Sequence, residues 1–133
     1  GQNETSDSYL LNLKTGLVTE RTKTVFSEGN KIGLQKDLFN EDALIFKDLK
    51  SRKVNLEHKK KGTVLIVKFA DFPYLGVWAK PNAPYVCIEP WLGIADSEDS
   101  NQQIIEKEGI VALDIDSVFN ASYSIEIDQR HLG

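Results

Sequence analysis

Glu89 is the side chain in this 133-residue sequence that we consider first for acid–base chemistry. It follows Val86-Cys87-Ile88 and precedes Pro90-Trp91. Apolar neighbours of this kind hinder the ionisation of a carboxyl group and make its carboxylate a stronger base. The alternative is an exposed acid at a strand end, or one that pairs with Lys80 across a hairpin. The local pattern does not choose between these interpretations.

Two tryptophans near Glu89, Trp78 and Trp91, are candidates for binding a sugar. The apolar face of a sugar stacks on an indole ring, while the sugar hydroxyls bind a neighbouring carboxylate. The alternative is that both indoles belong to the core. Core packing is favoured for Trp78, whereas Trp91 follows Pro90 and is expected at a loop.

The remaining reactive side chains predict no metal site and no disulfide. Cys87 is the single cysteine, and the two histidines do not cluster. We expect His58 at an exposed strand end and His131 in a C-terminal tail that frays. The acidic residues between 96 and 99 lack the spacing and the glycine of an EF-hand, so they predict a solvated loop.

Composition and charge narrow the possible partners. Hydrophobic residues make up 41% of the chain and charged residues 27%, which fits one soluble domain over residues 1–133. The net charge of -4 leaves no broad basic surface, so no nucleic-acid partner is expected. No apolar run approaches the roughly 20 residues that cross a bilayer, so no membrane partner is expected. The single cysteine favours a reducing compartment, and we predict a cytoplasmic location.

Strands are the elements that must position Glu89. Residues 121–128 alternate between apolar and polar, which is typical of a half-buried strand. Residues 64–69 are continuously apolar and rich in β-branched side chains, as in a strand covered on both faces. Further strands are predicted at 9–13, 43–46, 53–57, 75–79, 85–89 and 110–113. The pattern predicts an all-β fold, built as an antiparallel β-sandwich.

Turn residues divide these strands. Pro90 cannot donate to a ladder, so pairing is expected to end or bulge there and to leave Glu89 at a strand terminus. Lys59-Lys60-Lys61-Gly62 predicts a hairpin tip with positive φ at Gly62, the alternative being a phosphate site. Residues 37–41 predict one short turn, and residues 97–108 predict a loop because they lack a buried stripe.

Residues 74–96 carry a resemblance to a known family. Tyr74-Leu75-Gly76-Val77-Trp78-Ala79-Lys80-Pro81 and Tyr85-Val86-Cys87-Ile88-Glu89-Pro90-Trp91-Leu92-Gly93-Ile94-Ala95-Asp96 are similar to the aldose 1-epimerase family, in its LacX-like branch. The likeness extends to 38–46, 106–110 and 121–125, and so to most residues between 9 and 128. It implies a galactose-mutarotase-like β-supersandwich. It also implies interconversion of the α and β anomers of an aldose without metal or organic cofactor.

The resemblance implies roles for particular residues. Glu89 matches the family's base, which takes the proton from the anomeric hydroxyl while a histidine protonates the ring oxygen. The ring then opens, and rotation about the exposed carbon–carbon bond lets it close on the other face. Asp42 matches a second, substrate-binding acid, although a turn-forming Asp before a strand explains it equally well. Trp91 and Trp78 complete the predicted substrate-binding set.

One part of the family pattern is missing from this sequence. The acid histidine commonly lies in a His-Pro-x-Phe-Asn type motif, and residues 1–133 contain no such motif. Family members are also much longer, so we expect this chain to be the C-terminal portion of the β-sandwich. Open strand edges and an uncovered apolar face would then favour self-association, or pairing with the missing N-terminal half.

Three alternatives to hexose mutarotation are open at this point. One is a carbohydrate-binding β-sandwich without turnover. Another is a hexose-6-phosphate mutarotase, for which Lys80 is a candidate phosphate ligand only by proximity. The third is a structural β-domain in which Glu89 is a surface acid.

Overall fold

The computed structural model describes residues 4–132, which form eight β-strands and two short 3-10 helices. The strands are β1 (Ser8–Leu11), β2 (Val18–Lys23), β3 (Leu44–Phe46), β4 (Lys53–His58), β5 (Gly62–Lys68), β6 (Tyr74–Trp78), β7 (Cys87–Trp91) and β8 (Ser124–Ile127). The 3-10 helices span Ile104–Glu106 and Gln129–His131. These residues contain no α-helix, and every ladder between named strands is antiparallel. The predicted all-β, antiparallel fold is confirmed.

Five of the strands form one sheet in the order β2-β1-β3-β6-β7. Side chains alternate between the two faces of a strand, and residues paired across strands share a face. The larger core cluster therefore takes the alternate residues Leu44 and Phe46 of β3 and Leu75 and Val77 of β6. Phe39, Phe69 and Ala79 complete this cluster.

The opposite face of this sheet carries a smaller cluster, made of Val18, Ile45, Tyr74 and Ile94. Ile94 belongs to the segment that follows β7, and that segment reaches β2, where the carbonyl of Asp96 accepts from the Val18 N–H at 2.8 Å. Because β7 and β2 are opposite edges of the sheet, the segment crosses this face. It covers one end of the face and buries Ile94.

The other three strands form a second sheet in the order β4-β5-β8. Its contact with the larger cluster is made by Val54 of β4 and by Phe69, which follows β5. All four residues of β8 are exposed, among them Ile125 at 54% and Ile127 at 52%. The second sheet thus contacts the larger cluster through β4 and the end of β5, and it leaves the apolar side chains of β8 uncovered.

The observed strands differ from the predicted ones in three places. Residues 110–113 form no strand, and they pair with none of the strands in the described part of the chain. β2 was not predicted, because its sequence VTERTK is mostly polar, as is common at a sheet edge. The predicted strand 85–89 is displaced to Cys87–Trp91.

Other local predictions are confirmed. Gly62 opens β5 at the hairpin tip with φ of 75°. A turn occupies residues 36–41, and the loop 97–108 contains the 3-10 helix Ile104–Glu106 and an isolated bridge from Ser97 to Val18.

The C-terminal tail, which was expected to fray, instead forms the 3-10 helix Gln129–His131, where the Asp128 side chain accepts a hydrogen bond from the Arg130 N–H. The side-chain cap explains this difference, since it satisfies a donor at the start of the turn.

Candidate functional site

Glu89 lies in the middle of β7, opposite Gly76 of β6, and its side chain is half-buried. The ladder continues beyond it, with Pro90 opposite Leu75 and Trp91 opposite Tyr74. The prediction that pairing ends at Glu89 is therefore wrong. The reason is that β7 is an edge strand of the described sheet, where a proline can turn its missing N–H away from the neighbouring strand.

Trp91 is in direct contact with the Glu89 carboxylate. The two residues are separated by one position in a strand and so share a face of the sheet. The indole Nε1–H of Trp91 donates to Oε2 of Glu89 at 3.1 Å. The ring also packs against the smaller cluster, so Trp91 is half-buried in a strand rather than placed at a loop as expected. The structure therefore brings together the predicted base and one predicted sugar-binding residue.

Gly76 is a residue of this site that the sequence predictions missed. A Cβ atom at Gly76 would lie 2.3 Å from Cζ2, 2.6 Å from Cη2 and 2.7 Å from Cε2 of Trp91. The indole ring therefore lies across β6 in the space that any other side chain would occupy. A glycine inside a strand pattern indicates close approach by another group, and this signal could have identified it.

Trp78, at the end of β6, has different contacts. It packs against the larger cluster. Its ring centroid is 6.3 Å from that of Tyr85, with the ring planes at 61°. These contacts agree with the core interpretation, and the structure does not bring Trp78 to the Glu89 carboxylate as it brings Trp91.

Asp42 lies just before β3, two strands away from β7 in the sheet order. At about 4.8 Å per strand, that separation is roughly 10 Å across the sheet. Asp42 is exposed, its φ is 73°, and its Oδ1 accepts from the Ala43 N–H at 2.7 Å. This local bond is typical of a turn-forming Asp. The role of Asp42 in binding substrate stays a prediction.

Three polar side chains, Tyr74, Glu108 and Lys47, lie close together beside Trp91. Tyr74, the ladder partner of Trp91, is buried, and burial together with the nearby Glu108 carboxylate raises the pKa of its hydroxyl. Lys47 Nζ lies 2.9 Å from Glu108 Oε2 and 4.4 Å from the centre of the Tyr9 ring. The charge on Glu108 is therefore paired with that of Lys47, next to the buried Tyr74.

Both histidines of the chain belong to the region of the three-stranded sheet. His58 is the exposed last residue of β4, as predicted. His131 lies in the 3-10 helix after β8, with Nε2 3.9 Å from Asp128 Oδ2. Within residues 4–132 no three His, Cys, Asp or Glu side chains gather as a metal site. No helix in that range is long and apolar enough to cross a membrane.

Two surface clefts lie away from Glu89. One has a volume of about 240 Å³ and is lined by residues between Ala95 and Glu108. The other, of about 350 Å³, is lined by Thr5, Tyr9 and Lys50 among others. Glu89 lines neither of them, and the geometry that singles out Glu89 is its contact with Trp91.

Known proteins resemble this chain over most of its length. Two LacX proteins of Lactococcus lactis subsp. lactis, one plasmid and one chromosomal, are each 34% identical over 116 residues, which is 86% of this chain and 39% of the relative. The crystal structure of a galactose mutarotase related enzyme from Lactobacillus acidophilus superposes with a TM-score of 0.76 at 30% identity. That match covers 93% of this chain and 42% of the enzyme.

The chain thus spans about two fifths of the length of the proteins it matches. A scan against models of protein families gives no match. The galactose mutarotase related structure supports the supersandwich architecture, of which these two sheets are a part. The predicted resemblance to the aldose 1-epimerase family, in its LacX-like branch, is confirmed by these matches.

Proposed function

We propose that the protein carrying this segment is a mutarotase, an aldose 1-epimerase that interconverts the α and β anomers of a hexose, with Glu89 as its base. One observation carries the proposal. Glu89 lies on an edge strand, and the indole N–H of Trp91 orients its carboxylate at 3.1 Å. The likeness to LacX and to a galactose mutarotase related enzyme supports the same activity.

The geometry suits removal of a proton from a sugar hydroxyl. The Trp91 N–H engages Oε2, so Oε1 is the oxygen that would accept the anomeric proton. The part of the indole that is still exposed would stack on the apolar face of the sugar. Asp42 and Trp78 would bind hydroxyls and ring surface further along the sheet. General acid–base catalysis of this kind contributes about 10²- to 10⁴-fold to the rate.

Ring opening also needs a proton donor for the ring oxygen, and we assign it to a histidine outside residues 1–133. His58 and His131 both lie by the three-stranded sheet, whereas Glu89 lies on the five-stranded sheet. Neither is therefore a good candidate for the acid. On this assignment the isolated segment turns over sugar hardly at all, and no metal or organic cofactor takes part.

We further propose that the remainder of a longer protein covers the three-stranded sheet. The relatives are long enough to supply such a cover, since this chain spans only 39% and 42% of them. The uncovered surface is apolar, with Tyr123, Ile125 and Ile127 all more than half exposed. In the absence of that cover, the same surface would favour self-association.

The test replaces Glu89 by Gln in the complete polypeptide and follows mutarotation of α-D-glucose and α-D-galactose by polarimetry. Glu89→Gln keeps the shape of the side chain and removes its basicity, so a loss of about 10²-fold or more is expected. The matched control is Glu57→Gln, which changes an exposed acid of β4 and should leave the rate unchanged. Equal rates for Glu89→Gln and the unmodified protein would refute the proposal.

Sugar binding without turnover is the second candidate, because a tryptophan beside a carboxylate binds sugars whether or not a reaction follows. It predicts that hexose changes Trp91 fluorescence while mutarotation proceeds at its spontaneous rate. A hexose-6-phosphate substrate is distinguished in the same assays by comparing glucose with glucose 6-phosphate. Lys80, exposed after β6, would be the first lysine to replace in that case.

A further inference from the structure

Gly76 and Glu89 are ladder partners, so the residue at position 76 is adjacent to the proposed base. Gly76 is buried, and the Trp91 ring fills the space above it. The three contacts that a Cβ would make, at 2.3–2.7 Å, are all shorter than real Cβ contacts. An indole is rigid and cannot bend away, so a side chain at this position would displace the whole ring.

Displacement of the Trp91 ring would move Nε1, the atom that donates the hydrogen bond to Glu89. Cε2, one of the atoms that a Cβ would meet, is bonded directly to Nε1, the donor to Glu89 Oε2. The ring has little freedom to shift elsewhere, because it packs against the cluster containing Ile45 and Tyr74. Relief of the clash at Gly76 therefore breaks or lengthens the 3.1 Å hydrogen bond.

We propose that Gly76 is a positioning residue for the reaction, acting through Trp91. The absence of a side chain at position 76 lets the indole lie flat across β6, and the indole N–H then fixes the rotamer of the Glu89 carboxylate. One oxygen is engaged and the other is directed toward the sugar. This inference rests on the proposed function, because it assigns to Trp91 a task that matters only if Glu89 is the base.

The experiment compares three variants of the complete polypeptide in the mutarotation assay. Gly76→Ala adds the Cβ, Trp91→Phe removes the N–H while keeping an aromatic ring, and the double variant combines both changes. The control is Gly93→Ala, close in sequence, where a Cβ would meet nothing within 4 Å and where φ is not positive. Thermal unfolding shows whether each variant folds.

The proposal expects both single variants to lower kcat by roughly 10²-fold, a loss typical of a catalytic group displaced by about 1 Å. The effects should not add, so that Gly76→Ala costs little further in the Trp91→Phe background. A merely structural glycine would lower thermal stability and leave kcat of the folded protein unchanged. If Gly76→Ala does not fold, the kcat of Trp91→Phe decides alone. A kcat equal to that of the unmodified protein would then overturn the positioning role.

The two proposals fail in different ways. If Glu89→Gln abolishes activity while folded Gly76→Ala and Trp91→Phe keep full kcat, the positioning role is overturned and the proposed function stands. If Glu89→Gln has no effect, the proposed function itself is wrong and the positioning role is overturned with it.

Discussion

The two sheets of this protein differ in how much of their apolar surface they bury. The five-stranded sheet has a cluster on each face, and its central residues Leu44 and Ile45 are 0% and 1% exposed. The three-stranded sheet ends in β8, whose isoleucines are about half exposed. Most of the exposed large apolar side chains of the described chain lie between Ile104 and Leu132.

This difference shows which sheet the described residues cover on both faces. The five-stranded sheet is covered by its own segments, including the one that crosses from β7 to β2. The three-stranded sheet leaves β8 exposed, and the proposed base Glu89 lies on the sheet whose two faces are covered. The contact between Glu89 and Trp91 is thus formed within the described residues, even though the proposed reaction needs a second proton carrier.

The largest expected effect is on core packing in the five-stranded sheet. Phe46→Ala removes a ring that is 1% exposed and should lower the free energy of unfolding by about 3–5 kcal/mol. Ile127→Ala in β8, with the side chain 52% exposed, should cost less than about 1 kcal/mol. Urea unfolding at low, fixed chain concentration measures both. Similar costs for the two variants would mean that the sheets do not differ as described.

The second prediction concerns association through the three-stranded sheet. The isolated chain should self-associate, and Ile127→Lys should weaken that association at least tenfold, or about 1.4 kcal/mol. Leu34→Lys is the matched control, because Leu34 is also 52% exposed but lies outside this sheet. Light scattering over a range of concentrations gives the result. A clean monomer at high concentration would contradict the proposed interface.

The sequence predicted the positions of these strands better than their burial. Residues 121–128 contain β8, but its four residues are exposed rather than half-buried. Residues 64–69 overlap β5, whose side chains are mostly half-buried rather than covered on both faces. Residues 110–113 have the same apolar character, yet they form no strand because a ladder needs a partner that sequence pattern cannot supply. β2 was missed for the opposite reason. Its mostly polar sequence does not predict a strand, but pairing with β1 makes it one.

The sequence drew attention to Glu89 and Trp91 but not to the geometry of their contact. The motif containing Glu89 and Trp91 singled out both side chains, and the structure places them 3.1 Å apart. The sequence could not show that Pro90 stays within the ladder, since that depends on β7 being an edge strand. It also could not show that Trp91 fills the space at Gly76, because ring orientation depends on the cluster beneath it.

The third prediction uses two glycines in equivalent conformations. Gly16, between β1 and β2, has φ of 73°, Gly62 at the start of β5 has φ of 75°, and a Cβ at either would meet no atom within 4 Å. Alanine at each site should therefore cost about 1–2 kcal/mol from left-handed backbone strain alone. Gly16→Ala should lower the global stability, whereas Gly62→Ala should mainly speed local opening of the β4–β5 hairpin.

Native-state hydrogen exchange separates these outcomes, because it reports local and global opening amide by amide. If Gly62→Ala accelerates exchange in β6 as much as in β4, the two sheets unfold as one unit. The two sheets would then differ in how exposed their apolar side chains are, but not in how easily they open.

The smallest effect concerns Glu4, which links the segment before β1 to the turn before β4. Its Oε2 accepts from the N–H groups of Lys50 at 3.0 Å and Ser51 at 3.3 Å. Burial of the side chain opposes ionisation, but hydrogen bonds from the backbone of Ser51, Ser6 and Lys50 outweigh it and hold the pKa of Glu4 below its usual value of 4.5.

A carboxyl group with a lowered folded-state pKa stabilises the fold fully above its unfolded value, and that stabilisation is lost as the pH falls. The free energy of unfolding should therefore decline below pH 4.5, and Glu4→Gln should make that decline shallower. Glu57→Gln, at an exposed position of β4, serves as the control. Urea unfolding between pH 7 and pH 3 measures the slope. Because Glu4 connects the segment before β1 to the turn before β4, an unchanged slope in Glu4→Gln would show that this junction contributes nothing to acid sensitivity.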